Sequence, residues 1–186
     1  PTRDIFALLA LDYIELSHTG KSLYTSADVK ETIKHTIALE YGEVTDITPD
    51  IRLTFYNAGH ILGSALVHLH IGEGWHNLLY TGDLKAKRSL MLNPAQITFP
   101  RVETLMIEST YGAPEDIMPS REECEDSQMK IIRETIARKG KVLIPSLGVG
   151  RSQEIMLTLE KAAREEGFKV PVYVDGMIWD VTAVYA

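Results

Sequence analysis

The spacing of apolar residues divides the chain into a helical beginning, a strand-rich middle and a mixed end. Apolar positions recur near helical spacing through about Leu16, and Thr2 is the predicted N-cap of this first helix. Residues 17–25 are predicted to form a loop. Ser26 is predicted to begin a second helix on the same pattern.

The middle of the chain follows the period of strands and turns. Between residues 42 and 108 the apolar runs are short, and Gly, Pro, Asn or Asp residues separate them. This pattern favours a sheet of short strands rather than further helices. We predict strands near residues 43–47, 51–57, 64–71, 77–81 and 104–108.

The period changes again after Pro119. Ser120 and Glu123 match a capping box at the start of a helix that ends near residue 139. The segments that follow are predicted as a strand at 142–145, a helix at about 152–166, a strand at 170–174 and a further helix from residue 178. This alternation is typical of a parallel, Rossmann-like unit, so we predict a domain boundary near residue 117.

Composition narrows the class of protein. Hydrophobic residues make up 45% of the chain and charged residues 24%, which is typical of a soluble domain with a substantial core. The strongly apolar run at residues 5–11 is far too short to span a membrane, so we predict no membrane partner and a cytoplasmic location. Cys124 is the single cysteine, which excludes an intrachain disulfide and fits a reducing compartment. The net charge of -7 argues mildly against a protein that grips nucleic acid by bulk charge.

Three of the predicted strands each end near a residue that can bind a metal ion. His60 lies in the run NAGHILGSA, Asp83 follows a strand in TGDLK, and Glu108 follows a strand in ESTYG. His60 or Asp83 alone is more simply explained as part of a turn. If the three strand ends share one edge of a sheet, however, the side chains converge on one site that suits a metal.

Two other patterns carry weaker signals. Strand alternation places His68 and His70 on one face, and we predict a structural or solvated role for this pair rather than metal binding. The run from Gly148 to Gly150 lies between a predicted strand and helix, as in dinucleotide sites, but Gln153 replaces the third glycine and weakens that interpretation. Three further histidines have no ligand-like context: His18, His35 and His76.

The motifs GHILGSA, TGDLK and ESTYG, in this order and spacing, resemble those of β-CASP nucleases of the metallo-β-lactamase fold. Among these, they resemble in particular the archaeal homologues of the nuclease subunit of the cleavage and polyadenylation specificity factor. Residues 145–154 (PSLGVGRSQE) and 174–177 (VDGM) resemble that group's β-CASP segment, so the resemblance covers nearly the whole chain. It implies an α/β fold in which residues 1–117 are the C-terminal portion of a metallo-β-lactamase-like αββα sandwich. Residues 118–186 would be the N-terminal portion of a Rossmann-like β-CASP domain.

The resemblance also implies a role for each site residue. His60 matches a zinc ligand and Asp83 matches the carboxylate that bridges two zinc ions. Glu108 matches the acidic residue beside the metals that orients a catalytic histidine. Arg151 matches a turn that lines the substrate cleft, and with Ser146 it is assigned to substrate binding. A surface salt bridge at the start of a helix is an equally good interpretation of Arg151.

Several parts of the family pattern are absent from this sequence. The H-x-H-x-D-H motif that supplies most zinc ligands is expected upstream of Pro1, the later β-CASP histidines beyond Ala186, and RNA-binding KH domains before the nuclease fold. We therefore assign catalysis to the intact protein, and we expect this segment alone to hold fewer than two zinc ions.

The implied activity is hydrolysis of RNA phosphodiester bonds by two Zn²⁺ ions, as in mRNA 3′-end processing. Two ions roughly 3.5–4 Å apart would lower the pKa of a shared water to about 7. Single-stranded RNA is the implied partner, cut internally and then trimmed from 5′ to 3′, and a homodimer of the intact protein is a further expectation.

The alternatives are a β-CASP DNA nuclease, a non-catalytic RNA-binding scaffold, and a small-molecule metallohydrolase. The Rossmann-like segment after Pro119 argues against the last of these.

Overall fold

The computed structural model describes residues 1–17 and 22–186; His18 lies outside them. Within this part, five helices and one mixed five-stranded sheet form an α/β fold. None of these helices is long and apolar enough to cross a membrane. The helices are α1 (Thr2–Leu16), α2 (Ser26–Lys34), α3 (Arg121–Ala137), α4 (Arg151–Glu165) and α5 (Ile178–Tyr185), and the strands are β1 (Val44–Thr48), β2 (Ile51–Asn57), β3 (Ala65–Ile71), β4 (His76–Tyr80) and β5 (Thr104–Met106).

The strands lie in the sheet in the order of the chain, β1 to β5. The first four are antiparallel, and β5 runs parallel to β4. Tyr80, at the end of β4, is paired with Val67 near the start of β3 and with Met106 at the end of β5. The turn from β2 to β3 and the C-terminal ends of β4 and β5 therefore lie together at one edge of the sheet, the edge formed by strand ends.

Each of two small apolar clusters stabilises a different part of the chain. Ala58, Leu66 and Leu79 are buried on one face of the sheet, where partly buried Tyr56 and Phe99 pack against them. Because strand side chains alternate between faces, this cluster draws on every second strand position. The second cluster lies between α3 and α4 and contains Met129, Ile132 and Ala162.

The chain separates into two compact units. The first unit is Pro1–Glu108 with Val174–Ala186, and the second is Ser109–Tyr173. Helix α5 belongs to the first unit because it packs against α1. The assignment of residues 1–117 to a metallo-β-lactamase sandwich and of 118–186 to a β-CASP domain stays a prediction.

One of three predicted helix starts was wrong, and two are confirmed. Pro1 rather than Thr2 is the N-cap of α1, whereas α2 begins at Ser26 as predicted, with Thr25 as its N-cap in a capping box with Asp28. The Thr25 hydroxyl accepts the backbone N–H of Asp28, and the Asp28 carboxylate accepts the N–H of Thr25. The capping box of α3 is present as predicted, with Ser120 as N-cap and Glu123 as its partner.

The predicted strands at residues 142–145 and 170–174 were wrong. Neither segment pairs with any other among the described residues, whose one sheet is β1 to β5. A strand requires a neighbour that accepts and donates its backbone hydrogen bonds. Of these two segments only Val142 packs against the α3–α4 cluster, whereas Leu143 and Tyr173 are each 92% exposed.

The two histidines of β3 have structural roles, as predicted. The side chain of His68 is fully buried, and its Nε2 lies 2.9 Å from the Arg101 carbonyl oxygen. A carbonyl only accepts, so Nε2 carries the proton and the buried Nδ1 has no partner in the described part of the chain. His70 Nδ1 contacts Asn77 Oδ1 at 2.5 Å, and the two imidazole rings meet edge to face.

Burial lowers the pKa of His68, so the folded protein resists protonation at this position. In the unfolded chain the pKa is about 6.5. As the pH falls below that value the unfolded state takes up the proton first, and the free energy of unfolding should decrease, by at most about 1.4 kcal/mol per pH unit. Urea unfolding between pH 5 and 7.5 measures this slope. His68→Gln should flatten it, whereas His35→Gln, at an exposed histidine, should not; equal slopes for the wild type and His68→Gln would contradict the assignment.

Candidate metal centre

The structure brings His60 and Asp83 together at the sheet edge described above. His60 lies in the loop of residues 58–64 between β2 and β3, which we call the His60 loop, and Asp83 follows β4 by three residues. The His60 Nε2 and Asp83 Oδ2 atoms are 3.8 Å apart. Both side chains are open to solvent, with 44% and 67% of their surfaces exposed. The imidazole and the carboxylate are therefore accessible from outside the protein.

The separation of these two atoms is compatible with a shared zinc ion. Zinc binds imidazole nitrogen at about 2.0–2.1 Å and carboxylate oxygen at about 2.0–2.2 Å, so a tetrahedral ion places the two atoms about 3.4 Å apart. A small side-chain rotation would close the difference. No group of three His, Cys, Asp or Glu side chains suited to a metal occurs in the described ranges 1–17 and 22–186. His60 and Asp83 thus fit part of a zinc site.

The backbone of the His60 loop requires a glycine before the histidine. Gly59 has a φ of +66°, in the left-handed region. A Cβ atom on it would lie 2.7 Å from the Ala95 nitrogen and 2.8 Å from the carbonyl oxygens of Lys85 and Asn93. The neighbouring backbone can therefore approach the loop only where residue 59 has no side chain.

Backbone hydrogen bonds join the His60 loop to the segment that carries Asp83. The N–H of Lys85 donates to the Ala58 carbonyl at 2.9 Å, and the N–H of Ala95 donates to the Lys85 carbonyl at 2.8 Å. The side chain of Asn57 donates to the Pro94 carbonyl at 3.0 Å and accepts the N–H of Gly59 at 2.9 Å. The bond between Lys85 and Ala58 therefore lies two residues from Asp83 on one segment and two residues from His60 on the other.

Glu108 holds the same segment from the other side. Its Oε1 accepts the backbone N–H of Leu84 at 3.0 Å, and its own N–H donates to the Thr81 hydroxyl at 3.3 Å. Leu84 directly follows Asp83, so the carboxylate of Glu108 restrains the loop that presents the candidate ligand. This contact concerns position; the predicted role of Glu108 beside the metals stays a prediction.

The two predicted substrate-binding residues lie in the second unit. Arg151 is the first residue of α4; its side chain is exposed and lies 3.5 Å from the Glu154 carboxylate. The Ser146 hydroxyl donates to the Leu147 carbonyl at 3.3 Å. Gln153, which replaced the third glycine of a dinucleotide motif, accepts the Gly150 N–H at 2.7 Å and so caps the helix. The contact of Arg151 matches the salt-bridge interpretation, and substrate binding by Arg151 and Ser146 stays a prediction.

Sequence reasoning missed the groups that surround the candidate ligands. Tyr41 and Tyr185 contact the His60 loop through their hydroxyls, and they lie far from it in sequence. Lys87 and Arg88 follow Asp83 closely and are exposed. The sequence did contain a signal for Lys87 and Arg88, because no acidic residue occurs between Asp83 and Glu103.

Comparison with known proteins places the chain near one group. No protein-family model matches it. It is similar along its whole length to archaeal transcription termination factors. It is 56% identical to "Transcription termination factor FttA" of Methanocaldococcus jannaschii, 56% identical to that of Pyrococcus horikoshii and 49% identical to that of Lokiarchaeum sp.. The chain spans 29–30% of the length of these curated relatives.

Replacing Gly59 with alanine should disrupt the candidate site. The new Cβ would overlap three backbone atoms in addition to the strain of its positive φ, so we expect a loss of roughly 2–4 kcal/mol in the free energy of unfolding. Gly176→Ala is the matched control, because Gly176 has nearly the same φ, +67°, and open space around it. The control should cost only about 1 kcal/mol. Equal losses in chemical denaturation would show that the close approach at Gly59 is unimportant.

Proposed function

We propose that this chain contributes part of the active site of a zinc-dependent RNA-processing nuclease of the metallo-β-lactamase/β-CASP type. The observation that carries the proposal is the 3.8 Å separation of His60 Nε2 and Asp83 Oδ2 at a sheet edge, where both are open to solvent. The names of the similar proteins supply independent support for a role connected with RNA, since termination acts on a growing transcript.

The residues of this chain would act by binding and orienting. His60 would bind through Nε2, the atom that faces Asp83. Asp83 would offer its two carboxylate oxygens, while Glu108 restrains its loop through the N–H of Leu84. When bound, zinc ions would supply an activated water and neutralise charge on the phosphate. The other ligands would come from parts of the intact protein that this chain does not contain.

A second candidate function follows from the names of the relatives. Those names state transcription termination and no hydrolysis. A factor that binds the transcript without cutting it would satisfy the same names. The juxtaposed, accessible His60 and Asp83 favour catalysis, because a purely binding role gives no reason to expose two metal ligands at one point. A nuclease that acts on DNA would use the same site.

Exposed cations near Asp83 support a polyanionic substrate. Lys87 and Arg88 are four and five residues beyond Asp83, and no ion pair of either is seen in the described ranges. Consecutive Cα atoms are at most 3.8 Å apart, so both lie within roughly 20 Å of Asp83. Local positive charge of this kind can contact phosphates although the chain as a whole is acidic. We further propose that the partner is single-stranded RNA and that the intact protein acts in the cytoplasm; a homodimer stays a prediction.

In the intact protein, His60→Ala and Asp83→Asn should each lower RNA cleavage by at least about 100-fold, because losing a direct ligand exceeds the effect of losing an outer-shell partner. Zinc content by elemental analysis should fall in parallel, while thermal unfolding stays cooperative. Asp46→Asn, at an exposed aspartate paired with Arg52, is the control and should cleave normally.

The outcomes of this experiment separate the candidates. Undiminished cleavage in His60→Ala would remove the proposed site from the mechanism. Tight RNA binding and termination without cleavage, in the wild type and in both variants, would establish the binding factor. Faster cleavage of single-stranded DNA than of RNA of the same sequence would establish the DNA nuclease.

Removing Lys87 and Arg88 together should weaken RNA binding through lost phosphate contacts. For single strands the slope of log K against log salt changes by about 0.7 per phosphate, so the double alanine variant should lose up to about 1.4 of that slope. Fluorescence anisotropy with the intact protein across 50–300 mM salt measures it. The double variant Lys30→Ala, Lys34→Ala removes the same charge from α2 and should keep the wild-type slope. Identical slopes for all three proteins would exclude Lys87 and Arg88 from the RNA interface.

A further inference from the structure

Side chains hold the backbone of the His60 loop at nearly every position. Gly59 donates its N–H to Asn57, and the N–H groups of His60 and Ile61 both donate to the Ser64 hydroxyl, at 3.1 and 3.2 Å. On the other side of the loop, hydroxyl groups donate to its carbonyls. Thr2 bonds the carbonyl of Gly63 at 2.9 Å and Tyr41 bonds that of Ser64 at 2.8 Å.

A residue from the far end of the chain holds another N–H of the loop, that of Leu62. Leu62 donates its backbone N–H to the hydroxyl oxygen of Tyr185 at 3.1 Å, across 123 residues of sequence. Tyr185 is half-buried at the end of α5. Helix α5 packs on α1, whose first residue, Thr2, bonds the adjacent Gly63. Two packed helices therefore hold this side of the loop.

The loop needs such support because bonds within it, such as that from the Ala58 N–H to the Ser64 carbonyl at 3.1 Å, fix only part of its backbone. Glycines lie at residues 59 and 63, on either side of His60, and glycine loses more conformational freedom on ordering than any other residue. A loop without internal regular structure is ordered only by the contacts it makes. Each of these bonds restricts the backbone from which the His60 imidazole extends.

We propose that Tyr185 is a positioning residue for His60. The hydroxyl of Tyr185 keeps the His60 loop in the conformation that binds metal. This inference rests on the proposed function. Tyr185 contacts the loop backbone at Leu62, two residues from the imidazole, and acts through it. When only a fraction of molecules has the binding conformation, the apparent dissociation constant of a ligand rises by the inverse of that fraction. Loss of the hydroxyl should therefore appear as weaker metal binding.

The position of α5 in the chain determines when Tyr185 can bond to the His60 loop. The chain passes through Ser109–Tyr173 before it reaches α5. The His60 loop can therefore be completed only after the second unit has been synthesised. Metal binding by the first unit thus depends on a helix that lies downstream of the second.

The test is Tyr185→Phe in the full-length protein, which removes one oxygen and keeps the ring. Co²⁺ alone serves as the probe, because its visible absorption reports the coordination geometry. We expect the apparent dissociation constant for Co²⁺ to rise about 5- to 10-fold, as for the loss of one hydrogen bond near a ligand, with an altered spectrum below saturation. Cleavage should fall by a similar factor at limiting metal and return to the wild-type rate at saturating metal. Tyr173→Phe, at a tyrosine that is 92% exposed in the second unit, should match the wild type in all of these measurements.

Hydrogen exchange provides a second measurement that does not need the metal. The amide of Leu62 should exchange slowly in the wild type, and faster than wild type in Tyr185→Phe. Co²⁺ binding within twofold of wild type in Tyr185→Phe would overturn the proposal, as would exchange at Leu62 in the wild type as fast as in an unfolded peptide. If His60→Ala weakens Co²⁺ binding while Tyr185→Phe does not, only this inference fails. If His60→Ala leaves Co²⁺ binding unchanged, the proposed function fails, and the exchange of Leu62 alone decides whether Tyr185 holds the loop.

Discussion

Tyr80 on β4 is paired with one residue on β3 and one on β5, and these two pairings determine where the candidate metal centre lies. Its antiparallel partner on β3, Val67, lies three residues after the His60 loop. Its parallel partner on β5, Met106, precedes Glu108 by two residues. Because side chains on adjacent strands stay in register along a sheet, these two pairings bring three separate segments to one edge. A one-residue slip in either pairing would also turn the strand to its opposite face. The separation of His60 and Asp83 therefore depends first on the register of β4.

Hydrogen bonds beyond the strands then refine what the register brings together. The bond from Lys85 to Ala58 links the two loops directly, and the absence of a side chain at Gly59 permits the backbone of residues 85–95 to come close. Glu108 restrains the Asp83 segment through the N–H of Leu84. These contacts satisfy backbone groups that would otherwise require water. They also limit the motion of two exposed side chains, and limited motion is what a metal site needs from its support.

The histidine pair of β3 shows how the same residue type serves a different purpose inside the sheet. His68 is fully buried and bonded to a backbone carbonyl, whereas His60 is open to solvent and faces a carboxylate. Burial disfavours the charged form of His68, and its Nδ1 has no partner among residues 1–17 and 22–186. Its position makes it part of the support of the sheet. The imidazole of His60, in contrast, is accessible from solvent.

The sequence by itself determined the elements and most of the candidate site. Apolar periodicity located all five helices and all five strands of the sheet, because period and turn residues are local properties. The motifs around His60, Asp83 and Glu108 identified the residues that follow β2, β4 and β5. It failed at residues 142–145 and 170–174, which have no strand partner among the described residues, since pairing is not encoded in a single segment. Only the tertiary structure decided that His60 and Asp83 meet, and that Thr2, Tyr41 and Tyr185 hold the loop between them. Hydrogen bonds across 23 to 123 residues depend on how the chain folds back on itself, which no local pattern records.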